Sequence, residues 1–287
     1  IPAIEWEKTL KGNGAEVAKM VEKGKSAFTG PELMGKTLGV IGLGAIGIGV
    51  ANTAKSLGME VYGYDPYLSV DAAWHLSRSI KHSSNLDEIF ANCDYITVHV
   101  PLTDETRDMI SAKTIAGMKD GVRILNFARG DLVNTADIIA ALSTGKVAAY
   151  VTDFANDELL DVEGVIAIPH LGASTPEAED NCASMAAGEL IDYLENGNIV
   201  NSVNMPAVSC HRTEGARICV IHKNNPGMIN KLSALFSSKN INIENMLNKS
   251  KKDYAYTLID VAEKEIDESI VDGIKNVEGT IRVRVIK

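Results

Sequence analysis

The chain has 287 residues, 45% of them hydrophobic and 23% charged, with a formal net charge of −10. That length allows about two domains with a core each, and the acidic balance disfavours nucleic acid and anionic membranes as partners. No apolar run approaches the roughly 18 residues of a membrane span and no basic-then-apolar leader opens the chain, so a cytoplasmic protein is expected.

Residues 1–35 read as an arm or linker, with a polar helix over about 15–23 and a loop at 28–31. From residue 36 short apolar runs alternate with helical segments, the signature of βαβ units. A strand ends at Ile41 in the pattern Gly42-x-Gly44-x-x-Gly47 and passes into a helix over 48–57. The first glycine permits a tight turn, the second lets backbone approach a pyrophosphate, and the third lets helix pack on strand. The next strand, 60–64, ends at Asp65, about twenty residues beyond the glycines, where an acid takes the ribose hydroxyls of NAD and repels the 2′-phosphate of NADP.

Further strands are expected at 80–82, 95–100, 122–127, 147–152 and 165–168. Helical segments are expected at 84–91, 103–118 and 136–142. Asp65, Pro101, Arg129, Asp153 and His170 all stand just past strand ends, where a doubly wound parallel sheet presents its ligand crevice. A long helix follows over 175–196, then a linker over 198–214. The remainder reads as strand 216–222, helix 228–237, strands 241–247 and 254–261, helix 266–274 and strand 280–286. That is a ferredoxin-like βαββαβ module, with one sheet face covered by its two helices. The fold class is thus α/β: a Rossmann-type doubly wound parallel sheet over 36–174, a helix and linker over 175–214, and the small module over 215–287. The four cysteines, Cys93, Cys182, Cys210 and Cys219, form no C-x-x-C pair and read as reduced packing residues. No metal is expected.

Arg129, Glu158 and His170 are the candidates for chemistry. Reducing a 2-oxo acid needs a cation to clamp the carboxylate, an acid to protonate the alkoxide, and a carboxylate to orient that acid. Arginine binds carboxylate through a planar fork, and histidine exchanges protons near neutral pH. Each residue also has a plain reading: a solvated arginine, a satisfied histidine beside a proline, one acid of an acidic loop. The three together favour the chemical reading.

In the phrases Gly42 to Gly47, Val98 to Pro101, Asn126 to Gly130, Thr152 to Phe154 and Pro169 to Thr175, the sequence resembles the D-isomer-specific 2-hydroxyacid dehydrogenases. The resemblance runs from about Lys36 onward. It implies NAD as cofactor and 3-phosphoglycerate or 3-phosphohydroxypyruvate as substrate. It implies Arg129 as substrate clamp, Glu158 as partner of the imidazole and His170 as proton donor. Cofactor contacts are implied at Gly42, Gly44, Ala45, Ile46, Gly47, Asp65, Pro101, Phe127, Arg129, Asp153, His170 and Gly172. The C-terminal module resembles an ACT domain, which implies L-serine as effector at His222, Asn224 and Asn242 between paired subunits, and a homo-oligomer of at least two chains.

Two departures from the family pattern shape what is expected. Glu158 is followed by Leu159, where the family carries proline, and most of the family's substrate domain is absent. The chain is therefore either a piece of a dehydrogenase or a natural short form. The apolar face of its helix from Thr175 (Ala183, Ala186, Leu190 and Leu194) would then either lie exposed or find another partner. Rival readings are another 2-hydroxyacid dehydrogenase, such as a hydroxypyruvate or glyoxylate reductase, and a non-catalytic sensor of NAD and an amino acid.

Overall fold

The computed structural model describes residues 2–287. It divides into two compact units, one through Leu171 and one from Gly172 to Lys287. The first opens with α1 (Pro2–Thr9) and α2 (Val17–Gly24). The arm expected from the sequence therefore holds a second helix ahead of the expected one. Trp6 stacks near Phe28, ring centroids 5.1 Å apart, and packs against Gly24.

Alternation then begins: β1 (Thr37–Ile41), α3 (Ala45–Ser56), β2 (Glu60–Tyr64), α4 (Val70–Trp74), β3 (Lys81–His82), α5 (Leu86–Asn92), β4 (Tyr95–Val98) and α6 (Ala112–Ala116). It closes with β5 (Val122–Asn126), α7 (Thr135–Ser143), β6 (Val147–Thr152) and β7 (Val165–Ala167). Helix starts are set by polar side chains that take up free N–H groups. Ser69 accepts from Ala72, Asn85 from Glu88 and Asn134 from Asp137. The helix expected over 103–118 is reduced to α6. Asp108 adopts φ +51° and donates its N–H to the Asp131 carbonyl, and Ile110 bridges to Val133. These pairings take the backbone groups a helix would need.

The seven strands are all parallel, in the order β3-β2-β1-β4-β5-β6-β7. Strand order reverses between β1 and β4, which places the ligand crevice at their C-terminal ends. Central strands have both faces buried, so they read as unbroken apolar runs. Val40, Ile96, Val98 and Ile124 are fully enclosed.

The second unit begins with α8 (Pro176–Asn196), capped by Thr175. It continues through β8 (Arg217–Lys223), α9 (Met228–Ser238), β9 (Ile243–Lys251), β10 (Tyr254–Val261), α10 (Glu268–Lys275) and β11 (Thr280–Ile286). The antiparallel sheet runs β11-β8-β10-β9. One face packs Ile218, Val220 and Ile259 against Leu232 and Phe236 of α9 and Ile270 and Ile274 of α10. The opposite face is covered too. Cys219, Tyr256, Leu258 and Ile286 pack with Ile199 and Val208, which bridge to each other across the stretch read as a linker. Burial on both faces removes the in-out alternation from β8.

Buried Arg217 joins these parts. Its Nε and Nη2 donate to the two carboxylate oxygens of Asp260 at 2.6 and 2.8 Å. Nη1 donates to the carbonyls of Asn196 and Cys210, and Nη2 to that of His211. All four cysteines are free thiols: Cys93 and Cys219 are buried as expected, but Cys182 is exposed on α8, whose 21 residues include none that is buried. No helix among the described residues is long and apolar enough to cross a membrane.

Candidate active site and cofactor cleft

The cleft starts at the glycine loop. Gly42 has φ +93° and donates its N–H to the Tyr64 carbonyl at 2.8 Å. A Cβ there would lie 2.7 Å from the His99 carbonyl oxygen, and one on Gly47 would lie 1.9 Å from the Gly42 carbonyl oxygen. Neither place admits a larger residue. Gly44 differs, because a Cβ on it would meet nothing within 4 Å. As the N-cap of α3 it offers the first turn no side chain, so the leading N–H groups around exposed Ala45 and Ile46 remain free for an anion. Asp65 closes the cradle from β2. Its Oδ2 accepts the Leu43 N–H and its Oδ1 the Tyr67 N–H, both at 2.8 Å. Spare lone pairs on the fixed carboxylate can take ribose hydroxyls. Open space before Gly44, free helix N–H groups and a held acid fit a dinucleotide.

Beyond β4, the Pro101 carbonyl accepts the Thr106 hydroxyl at 2.7 Å. Beyond β5, buried Asn126 shapes the turn. Its Nδ2 donates to the Arg129 carbonyl at 2.9 Å, and its Oδ1 accepts the Ala128 N–H at 3.2 Å. Phe127 and Arg129 are thereby held exposed. Among the described residues no carboxylate pairs with Arg129, whose Nη1 donates only to the Ala128 carbonyl. Its fork is free for an anion.

Beyond β6 and β7 His170 stands beside Asp153, and no ion pair with the expected Glu158 is formed among the described residues. The imidazole Nδ1 lies 2.8 Å from Asp153 Oδ2, and the ring packs against Phe154 at a centroid distance of 4.9 Å. Glu158 is exposed and makes no hydrogen bond or ion pair among the described residues. The cause is the residue after it. Leu159 is buried in the core, and its N–H is held by Asn156 Oδ1 at 3.0 Å. Leucine in place of the family's proline thus turns inward, and the glutamate before it faces water. Asp153 Oδ1 is buried with no partner, an acceptor suited to a donor on a bound cofactor. Gly172 lies exposed in a turn of the second unit.

His99, which the sequence reading used only as part of a phrase, lies under the glycine loop. Its Nε2 is 3.0 Å from Thr97 Oγ1, and burial pushes its pKa down. Its backbone contact with Gly42 was not readable from spacing, because it joins strands through the sheet.

The expected effector residues are not brought together within one chain. His222 is 2% exposed, with Nδ1 on the Lys223 carbonyl and Nε2 on Thr257 Oγ1, each at 2.8 Å. Both of its ring nitrogens are taken up within the chain. Asn224 is exposed. Its N–H and Nδ2 donate to the carbonyls of Asp253 and Lys252, and it lines a cavity of about 420 Å3 with Lys223, Lys252 and Tyr254. Asn242 lines another cavity, of about 520 Å3, with Asn230, Ser233 and Ser237.

A doubly wound parallel sheet with a glycine cradle at its switch point defines a dinucleotide-binding protein. The family model for the NAD-binding domain of D-isomer-specific 2-hydroxyacid dehydrogenases matches residues 6–172, and this chain belongs to that family. Residues 218–282 match a model described as an acetohydroxyacid synthase (AHAS) small subunit-like ACT domain. A D-3-phosphoglycerate dehydrogenase of Haemophilus influenzae is 34% identical over 274 residues, 91% of this chain and 65% of the relative. One from Bacillus subtilis is 37% identical over 211 residues, 71% of this chain and 39% of the relative. The chain thus spans under two thirds of these relatives. Among solved structures, a glyoxylate reductase from Paecilomyes thermophila superposes with TM-score 0.55 at 28% identity, covering 70% of this chain and 63% of that one. D-lactate dehydrogenase with NAD+ from Lactobacillus jensenii gives 0.53 at 27% identity, covering 67% and 63%.

Proposed function

We propose that this chain carries out the NAD-dependent oxidation of 3-phosphoglycerate to 3-phosphohydroxypyruvate, a step of serine biosynthesis, under feedback by L-serine. The observation that supports it most is the pairing of a free arginine past β5 with a carboxylate-held histidine past β7, above an NAD cradle. The names of the curated relatives direct this chemistry to phosphoglycerate.

In this reading Arg129 binds the substrate carboxylate through its fork. His170 Nε2 takes the proton of the C2 hydroxyl as a hydride leaves C2, and in the reverse direction returns it. Bound NAD supplies the acceptor of that hydride. The second unit acts as the serine sensor, with Asn224 of one chain and Asn242 of another closing on the amino acid. An exposed sheet edge invites such pairing, so at least a dimer is proposed. Four free cysteines suit a cytoplasmic setting.

The test is the loss of NADH absorbance when 3-phosphohydroxypyruvate is added to the purified chain. Consumption suppressed by L-serine supports the reading. No consumption while NADH still binds overturns it for this chain. A glyoxylate reductase activity is the second reading, favoured by the structural likeness to such an enzyme. Faster turnover of glyoxylate than of the phosphorylated acid would select it.

A further inference from the structure

We infer that the buried hydroxyl of Tyr150 is a positioning group that locks the Arg129 turn past β5 to the Phe154 turn past β6. The kinetic side of this rests on the reading of Arg129 as the carboxylate clamp. Asn126 and Thr152 are register partners at the ends of β5 and β6. Tyr150 stands two residues before Thr152, so its side chain leaves the same face of the sheet. Asn126 and Thr152 are fully enclosed and Tyr150 is 2% exposed. Three polar groups thus lie buried beneath the two turns.

Each group serves a turn. Asn126 Nδ2 has two hydrogens to give, and donates to the Arg129 carbonyl at 2.9 Å and to the Tyr150 hydroxyl at 3.3 Å. Its Oδ1 accepts the Ala128 N–H. Thr152 Oγ1 accepts the Phe154 N–H at 3.1 Å, and the Thr152 side chain is a second hydrogen-bond partner of Tyr150. The phenol joins the two sets of bonds. Burial pushes its pKa up, so it keeps its proton and has an O–H to donate while a lone pair takes Asn126. A buried hydroxyl costs free energy unless it is bonded, and phenylalanine would fill the same space. The oxygen therefore stands for its bonds rather than for packing. The turns also meet directly: a Cβ on Gly130 would lie 3.4 Å from the Phe154 Cβ, and the Phe154 ring packs on His170. Slack in one turn is passed to the other.

The experiment is amide hydrogen exchange followed by NMR on the full chain, comparing wild type with Tyr150→Phe, which keeps the ring. The Ala128 and Phe154 amides report the two turns, and the Gly42 amide, bonded to the Tyr64 carbonyl, is the reference. Exchange at Ala128 and Phe154 should rise together by about three- to tenfold, as for the loss of one hydrogen bond, with Gly42 unchanged. A rise at one turn only, at neither, or equally at Gly42 overturns the inference. Kinetics then test whether the loss runs through Arg129. Tyr150→Phe should raise KM for the 2-oxo acid about three- to tenfold, with KM for NADH within about twofold. That rise should vanish in an Arg129→Ala background. An equal rise in both backgrounds marks a general loosening and overturns the inference as well. Absence of any 2-oxo acid turnover by the wild type defeats the functional reading instead, and the exchange result still decides the Tyr150 link.

Discussion

Arg129 owes its availability to Asn126. By bonding both the Ala128 N–H and the Arg129 carbonyl, the buried amide turns the chain so that the guanidinium meets solvent and, among the described residues, no carboxylate. Arg129→Ala is accordingly expected to lower kcat/KM by about 10²–10³-fold, the usual loss of an electrostatic clamp, with NADH affinity within a few-fold by fluorescence titration. Gly47 is the tighter steric point. A Cβ placed 1.9 Å from the Gly42 carbonyl oxygen must force backbone apart. Gly47→Ala should lower the melting temperature of the first unit and abolish its NAD-induced shift, both read by differential scanning calorimetry. His99 sets a pH dependence. Its depressed pKa means the unfolded state binds the proton more readily. Stability is full above the ordinary histidine value of about 6.5 and declines as pH falls below it. Melting temperatures of His99→Gln, followed downward from neutral pH, should fall less steeply than those of the wild type.

Among the elements, the guanidinium of Arg217 unites a helix end, a covering loop and two strands in one buried knot. Removing one partner of a buried pair leaves a charge uncompensated, at about 3–5 kcal/mol. Asp260→Ala should destabilise the second unit by that amount in denaturant unfolding, whereas an unchanged midpoint would refute the knot. The elements themselves were largely legible in the sequence. Strands 147–152 and 254–261 begin and end where their apolar runs do, and Thr175 caps its helix as its position before Pro176 predicts. What escaped the reading depends on distant residues. The helix expected over 103–118 gave way to backbone bonds with residues 131–133. Likewise, the exposure of Glu158 follows from the burial of Leu159, and the second cover of the small sheet from Ile199 meeting Val208. Local periodicity carries no record of such meetings.

For the whole molecule, each unit has its own apolar core. Calorimetry should therefore resolve two transitions. NAD at about 100 times its Kd adds about 2.7 kcal/mol to whatever binds it, so it should raise the first transition alone, and L-serine the second alone. A single transition moved by both would count against independent cores. On α8, Leu190 and Leu194 are each 61% accessible in the single chain. The double cover of the small sheet also bears on how this protein could be rebuilt. A graft of the ACT-like module cut at residue 215 would discard Asn196, Ile199, Val208 and the carbonyls that Arg217 holds. The transplanted sheet would show Tyr256 and Leu258 to solvent and aggregate. Cut instead at Gly172, the cassette travels with its own lid, and any host enzyme receiving it inherits α8 as part of the parcel.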